Sequence, residues 1–288
     1  MPVILKPKLI KSIKHTRNNK KTISLLRHKK NTTSNNLIYS NYNNILTNTN
    51  IENKLSPVKH KYCIIFRGHV RDAFKSDRLY IFLSYLINDM GLDIDIYIYV
   101  WLNIEAKIGH SWRNLSDSSD IITNTDINNY FRGIPIKELY ITDENTNILI
   151  GDCSGKISGT SKKGWKNMWC GIDEINNIVK KTGINYYGVI NTRLDFFGNY
   201  IFNTYYKNYG LSYFYNLISE YDNNKSITFW ENKELMGIDN FYIGNINDIC
   251  KLSNDFHNNL DKIIKNFPKT IHQEFYVFRY VNRHINIE

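Results

Sequence analysis

Residues 61–72 read KYCIIFRGHVRD, an unbroken apolar run that stops at two arginines flanking a glycine. A short continuous apolar run of this kind suits a strand buried on both faces, the hallmark of a parallel sheet under helices. Downstream, residues 77–90 (DRLYIFLSYLINDM) place Leu79, Phe82, Leu83, Leu86 and Ile87 at helical spacing, with Asp77 as a cap and Gly91 as a stop. Residues 94–101 (IDIYIYVW) and 137–142 (KELYIT) read as further strands. Residues 165–181 read as a strong helix, with Trp165, Met168, Trp169, Ile172, Ile175 and Val179 along one side. A strand at 186–191 (YYGVIN) follows, then strands near Ile227–Glu231 and Asn240–Ile243. Helices over 247–267 and 270–281 flank Pro268. Strands alternating with helices predict an α/β domain over residues 59–288, its sheet mixed but mostly parallel and flanked by helices. The Gly-, Ser- and Lys-rich stretch 151–164 is expected to be a mobile loop.

Charge divides the 288 residues unevenly. Residues 1–60 hold 12 Lys and Arg against the single acidic Glu52, whereas the remaining 25 basic and 26 acidic residues nearly cancel. Residues 1–58 are Asn-rich and lack a sustained period, so a disordered basic arm is expected there, able to meet nucleic acid or an anionic surface. The body has no basic excess, which argues against a duplex-binding domain. Cys63, Cys153, Cys170 and Cys250 show no C-x-x-C spacing and are read as reduced thiols of a cytoplasmic protein, not a secreted one. No apolar stretch reaches the roughly 18 residues that a membrane span requires.

In an open α/β sheet, ligands gather beyond the carboxyl ends of the strands, which sorts the candidate residues. Arg67 and Arg71 carry planar donors suited to a diphosphate, and Gly68 between them allows close backbone approach. After the YYGVIN strand, a continued extended chain would put Asn191, Arg193 and Asp195 on one face. Asp195 could then hold Mg²⁺ or Mn²⁺ or contact a ribose hydroxyl, with Arg193 orienting it or neutralising a leaving diphosphate. At such a site, replacing Asp195 by Ala should spare stability. Asp239, beside Gly237, and Glu274, in the first turn of the last helix, are candidates to bind or deprotonate an acceptor hydroxyl. Each is also explained by an ordinary turn or cap. Two motifs fail. Asp93-Ile94-Asp95 spells D-x-D but precedes its strand, at the wrong sheet edge. Residues 151–157 (GDCSGKI) lack the glycine spacing and the Ser or Thr of a P-loop.

The order of IIFRGHVRDAF, DIYIYVW, KNMWCGIDEINNIVKKTGINYYGVINTRLDFF, GIDNFYIG and HQEFYVFRYV resembles glycosyltransferases of bacterial surface-polysaccharide loci, including the WavE-like lipopolysaccharide-synthesis group, and related proteins of large DNA viruses. The resemblance spans roughly residues 61–283. Its R-x-D element falls on Arg193 and Asp195, its D-x-F element on Asp239 and Phe241, and its late Glu on Glu274. It implies a GT-A-like fold that transfers sugar from a nucleotide-diphosphate donor to a glycan or protein acceptor. Arg67, Gly68, Arg71, Asn191 and Arg193 would hold the donor, and Asp195, Asp239 and Glu274 would act in catalysis. R-x-D in place of D-x-D leaves the role of a metal open. Two other readings stand beside it: a binding module of the same fold without turnover, and a nucleic-acid-associated protein acting through its arm.

Overall fold

A computed structural model describes residues 60–106, 120–157, 159–230, 237–267 and 272–286. The expected basic arm lies outside the described residues. Eight strands and six helices of seven or more residues follow in order: β1 (Lys61–Gly68), α1 (Arg78–Ser84), β2 (Asp93–Trp101), α2 (Asn124–Phe131), β3 (Glu138–Thr142), β4 (Lys156–Ile157), β5 (Thr160–Ser161), α3 (Lys162–Lys181), β6 (Gly188–Arg193), α4 (Gly210–Ser219), β7 (Ile227–Phe229), β8 (Phe241–Gly244), α5 (Ile246–Asn266) and α6 (Gln273–His284).

Six strands form one mixed sheet in the order β3-β2-β1-β6-β8-β7. The first four are parallel, while β8 runs antiparallel to both neighbours. The strand order reverses between β1 and β6, so the side-by-side ends of these two strands form the switch point where open α/β sheets take ligands. Their register pairs Arg67 with Arg193.

Alternation along the strands separates two faces. Cys63, Ile65, Tyr97, Tyr99 and Val189 pack under α3, α5 and α6 against Trp165, Trp169, Ile172, Phe256 and Val277. On the opposite face Phe66 meets Phe131 and Phe197, and Phe82 stacks on Tyr215. Each such side chain contributes about 1.5–3 kcal/mol of burial, which is how a chain rich in Tyr and Phe builds two cores on one sheet. Gly171 on α3 allows a close approach: a Cβ there would sit 3.0 Å from the ring of Trp101.

Three details differ from the sequence reading. The helix expected at 77–90 begins at Arg78 and widens into a π-type turn over Tyr85–Asp89. The stretch expected to be a mobile loop contains the β4–β5 hairpin, and Lys162 and the Asp152 N–H tie it to Asp261 of α5. The helix α2 went unread, although Thr123 and Asp126 form a reciprocal capping box at its start. Asp93 and Asp95 do open their strand at the amino-terminal edge. There Lys61 lies 3.0 and 3.1 Å from them, and Lys137 lies 2.5 Å from Asp95. Among the described residues, no helix is long and apolar enough to cross a membrane.

Candidate functional site

An open cleft of about 600 Å³, its mouth included, lies at the carboxyl ends of the parallel strands. Arg67, Gly68, His69 and Arg71 line it from β1 and the turn that follows. Trp101 ends β2, Glu144 follows β3, and Arg193 ends β6. The opposite wall comes from Thr160 of the hairpin, from Gly164, Trp165 and Met168 of α3, and from Gln273 of α6.

Backbone geometry shapes the turn after β1. Gly68 has φ +91°, and a Cβ there would point into open space, so the constraint is conformational and not steric. Arg71 adopts a left-handed φ of 51° although it is not glycine. A residue there carries strain of about 1–2 kcal/mol. Two anchors hold it. Its N–H donates to the Ile104 carbonyl at 2.9 Å, and its guanidinium donates to Glu105 at 2.7 Å and Asp195 at 2.6 Å.

Arg67 is 2% exposed. Its guanidinium donates to the side-chain oxygen of Asn191 and to the backbone carbonyl of Asp239, both uncharged acceptors. Burial lowers its pKa, the largest effect. Tyr242, Asp239 and Asp195 oppose that through space, and Arg193 reinforces it. Asn191 is fully buried and passes the network on to Asn176 of α3. Thr192, also fully buried, donates to the Asn240 carbonyl and so pins the turn that carries Asp239.

The chain leaves the extended conformation at Arg193 and enters a 3₁₀ turn, Leu194–Phe197. Asp195 is therefore not displayed along a strand face. It is 1% exposed, and Arg193 grips it with two donors at 2.9 and 2.7 Å while Arg71 adds a third. This corrects the expectation of an accessible carboxylate whose removal spares stability. The donor set also does not fit a hard divalent cation, which needs several carboxylate or carbonyl oxygens, whereas two guanidiniums already occupy Asp195. Among the described residues, no group of three or more His, Cys, Asp or Glu side chains is arranged to hold a metal ion.

Asp239 is buried in the 3₁₀ turn Ile238–Asn240. Glu274 lies in the first turn of α6, as expected, but a helix N-terminus would depress a carboxyl pKa and here the opposite happens. Burial pushes Glu274 up to about 7, with a further rise from the charge of Asp239, against smaller opposing effects that include Arg193 and Gln273.

No protein-family model and no curated protein sequence matches this chain.

Of the sequence-predicted residues, Arg67, Gly68, Arg71 and Arg193 line the cleft, and Asn191, Asp195 and Asp239 are buried partners of that set. His69 also lines it, 3.0 Å from the Asn103 carbonyl and 3.5 Å from Glu144. Glu144 and Trp101 were missed. Each sits at or just past a strand's carboxyl end, and applying the strand-end rule to β2 and β3 as well as β1 and β6 would have found them. Among the tryptophans, Trp165 lines the cleft, whereas Trp169 and Trp230 belong to the packed interior.

Proposed function

We propose that the cleft binds a nucleotide-diphospho-sugar and that the protein transfers the sugar to an acceptor hydroxyl on a glycan or protein, as a glycosyltransferase of GT-A-like fold. One observation carries this reading: Arg67 is a buried guanidinium lining the cleft, and its hydrogen bonds go to neutral oxygens. A buried charge without a directly bonded counter-ion favours an anionic ligand. Arg193 lies beside it in register at the switch point, its Nε and Nη2 committed to Asp195 and its Nη1 to Asn240, so it adds charge next to a diphosphate whose planar, two-pronged partner is Arg67.

In this mechanism Arg67 takes the donor diphosphate and Arg193 adds charge beside it. Asp195 is a positioning residue that fixes Arg193 and Arg71 in place. The acceptor hydroxyl attacks the anomeric carbon, the bond from that carbon to the diphosphate oxygen breaks, and the nucleoside diphosphate leaves with the electron pair. The hydroxyl proton passes to Glu274, whose raised pKa of about 7 suits a base working near neutrality. Burial is the main cause of that raised pKa, and the charge of Asp239, itself buried behind the cleft, adds to it. No step requires a divalent cation, since the guanidiniums supply the charge that stabilises the departing diphosphate.

Nucleotide release tests the reading. The protein is incubated with UDP-, GDP- and CMP-sugars, with and without a mixed glycan acceptor. Acceptor-dependent release from one donor supports transfer. Donor binding without release supports a binding module, and no interaction with any nucleotide or sugar nucleotide rejects both.

A further inference from the structure

The cleft has two chemically different ends. The sheet edge supplies Arg67, Arg71 and Arg193, while α3 and α6 supply Trp165, Met168 and Gln273, none of which is charged. On this neutral side two buried polar atoms lack partners: the Trp165 Nε1–H, a donor, and the Gln273 Oε1, an acceptor. Trp165 is 1% exposed and fixed against Trp169, Phe256 and Tyr276, so its N–H cannot turn away to find another acceptor. Gln273 is half-buried, and its amide group hydrogen-bonds Glu274, which leaves the carbonyl oxygen as the orphaned end. Leaving a buried donor or acceptor unmade costs about 1–3 kcal/mol, so such atoms in a cleft wall mark a place where a ligand supplies what is missing.

An unmatched donor and an unmatched acceptor on one cleft wall call for a group that both accepts and donates. A hydroxyl does this, and a phosphate, which only accepts here, does not. We propose that Trp165 Nε1–H and Gln273 Oε1 form a hydroxyl-binding subsite that holds the sugar of a nucleotide-diphospho-sugar while the arginines hold its diphosphate. This rests on the sugar-nucleotide reading of the cleft and deepens it. Both atoms are closed to bulk water in this structure, so occupation of the proposed subsite requires the half-buried Gln273 side chain to rotate. The subsite thereby places the sugar beside Glu274, the neighbour of Gln273 in the chain.

The test compares matched ligands by isothermal titration: UDP-glucose with UDP, and GDP-mannose with GDP. The full chain is used as wild type, Gln273→Leu and Trp165→Phe. Both substitutions remove the polar atom and keep an apolar side chain, and nucleoside diphosphate affinity reports whether the cleft is intact. The expected result is that wild type binds a sugar nucleotide more tightly than its parent diphosphate. Each variant then loses about 10-fold in affinity for the sugar nucleotide and keeps its affinity for the diphosphate. Wild-type-like sugar-nucleotide binding in Gln273→Leu overturns the subsite alone, as does an equal loss for both ligands in that variant. Absence of binding by wild type to all four ligands overturns the underlying reading together with it.

Discussion

Arg67 and Arg193 are register partners on adjacent parallel strands, placed side by side where the strand order of the sheet reverses. Two guanidiniums in neighbouring positions repel one another, and the fold retains both. Asp195 grips Arg193 directly, while Arg67 rests on neutral oxygens. Arg67 is thus the guanidinium of this set whose hydrogen bonds go to no carboxylate, and the proposed diphosphate site is built on it.

Replacing Arg67 by Met separates binding from stability. Met relieves the burial of a charge but leaves the Asn191 side-chain oxygen and the Asp239 carbonyl without their donor, so unfolding should show a loss of only about 1–3 kcal/mol. Affinity for a sugar nucleotide should fall about 10- to 100-fold, the effect of losing a charge-assisted hydrogen bond to phosphate. Arg67→Lys should recover little of it, because a point charge cannot reproduce the planar donors. Titration calorimetry and thermal melting on the same samples check both parts.

Asp195→Ala should cost more stability. Its carboxylate takes donors from two arginines at 1% exposure, so its removal takes the bidentate carboxylate from Arg193 and leaves Arg71 with Glu105. Denaturant unfolding should show a loss of about 3–5 kcal/mol. Asp195→Ala combined with Arg193→Met should recover part of that loss by removing the charge that Asp195 grips with both oxygens. A single variant as stable as wild type would contradict the burial seen here.

Glu274 makes both activity and stability depend on pH. Its folded pKa near 7 lies above its unfolded value, so the folded state keeps a proton that the unfolded chain gives up. Stability is then greatest below about pH 4.5 as far as this group is concerned, and it is lost as pH rises through 7, by about 3 kcal/mol. Glu274→Gln should abolish that slope. Transfer should instead rise with pH through about 7, since the base form is the carboxylate, and Glu274→Gln should remove that limb of the profile. Urea midpoints and initial rates between pH 5 and pH 9 report the two effects separately.

Gly68→Ala probes the turn after β1. No neighbour would touch the added Cβ, so any cost comes from φ +91° alone. Stability should drop by about 1–2 kcal/mol, measured by urea unfolding. Donor binding should weaken as well, because the turn sets the positions of both Arg67 and Arg71.

The α/β architecture was legible because the signals were local. Apolar runs marked the buried parallel strands, and the 3.6-residue stripe from Trp165 to Val179 marked α3. The direction of β8 was not legible. A run of four buried residues, Phe241–Gly244, looks the same parallel or antiparallel, and the connection from Phe229 decides between them. At the site, Arg67, Arg71 and Arg193 were found because strand ends can be located in sequence. The depth of Asp195 was not, because it depends on the chain turning at Leu194 into a 3₁₀ segment that an alternation argument continues as strand. Glu144 and Gln273 carry no motif and enter the cleft only through the packing of β3 and α6 around it.

The central claim is that the switch point between β1 and β6 holds the diphosphate of a sugar nucleotide. A crystal structure of the full chain soaked with UDP-glucose or GDP-mannose tests it most directly. The account predicts diphosphate oxygens within hydrogen-bond distance of the Arg67 guanidinium, with the sugar turned toward Trp165 and Gln273. A nucleotide bound at another edge of the sheet, or a cleft left empty at saturating ligand, would contradict it.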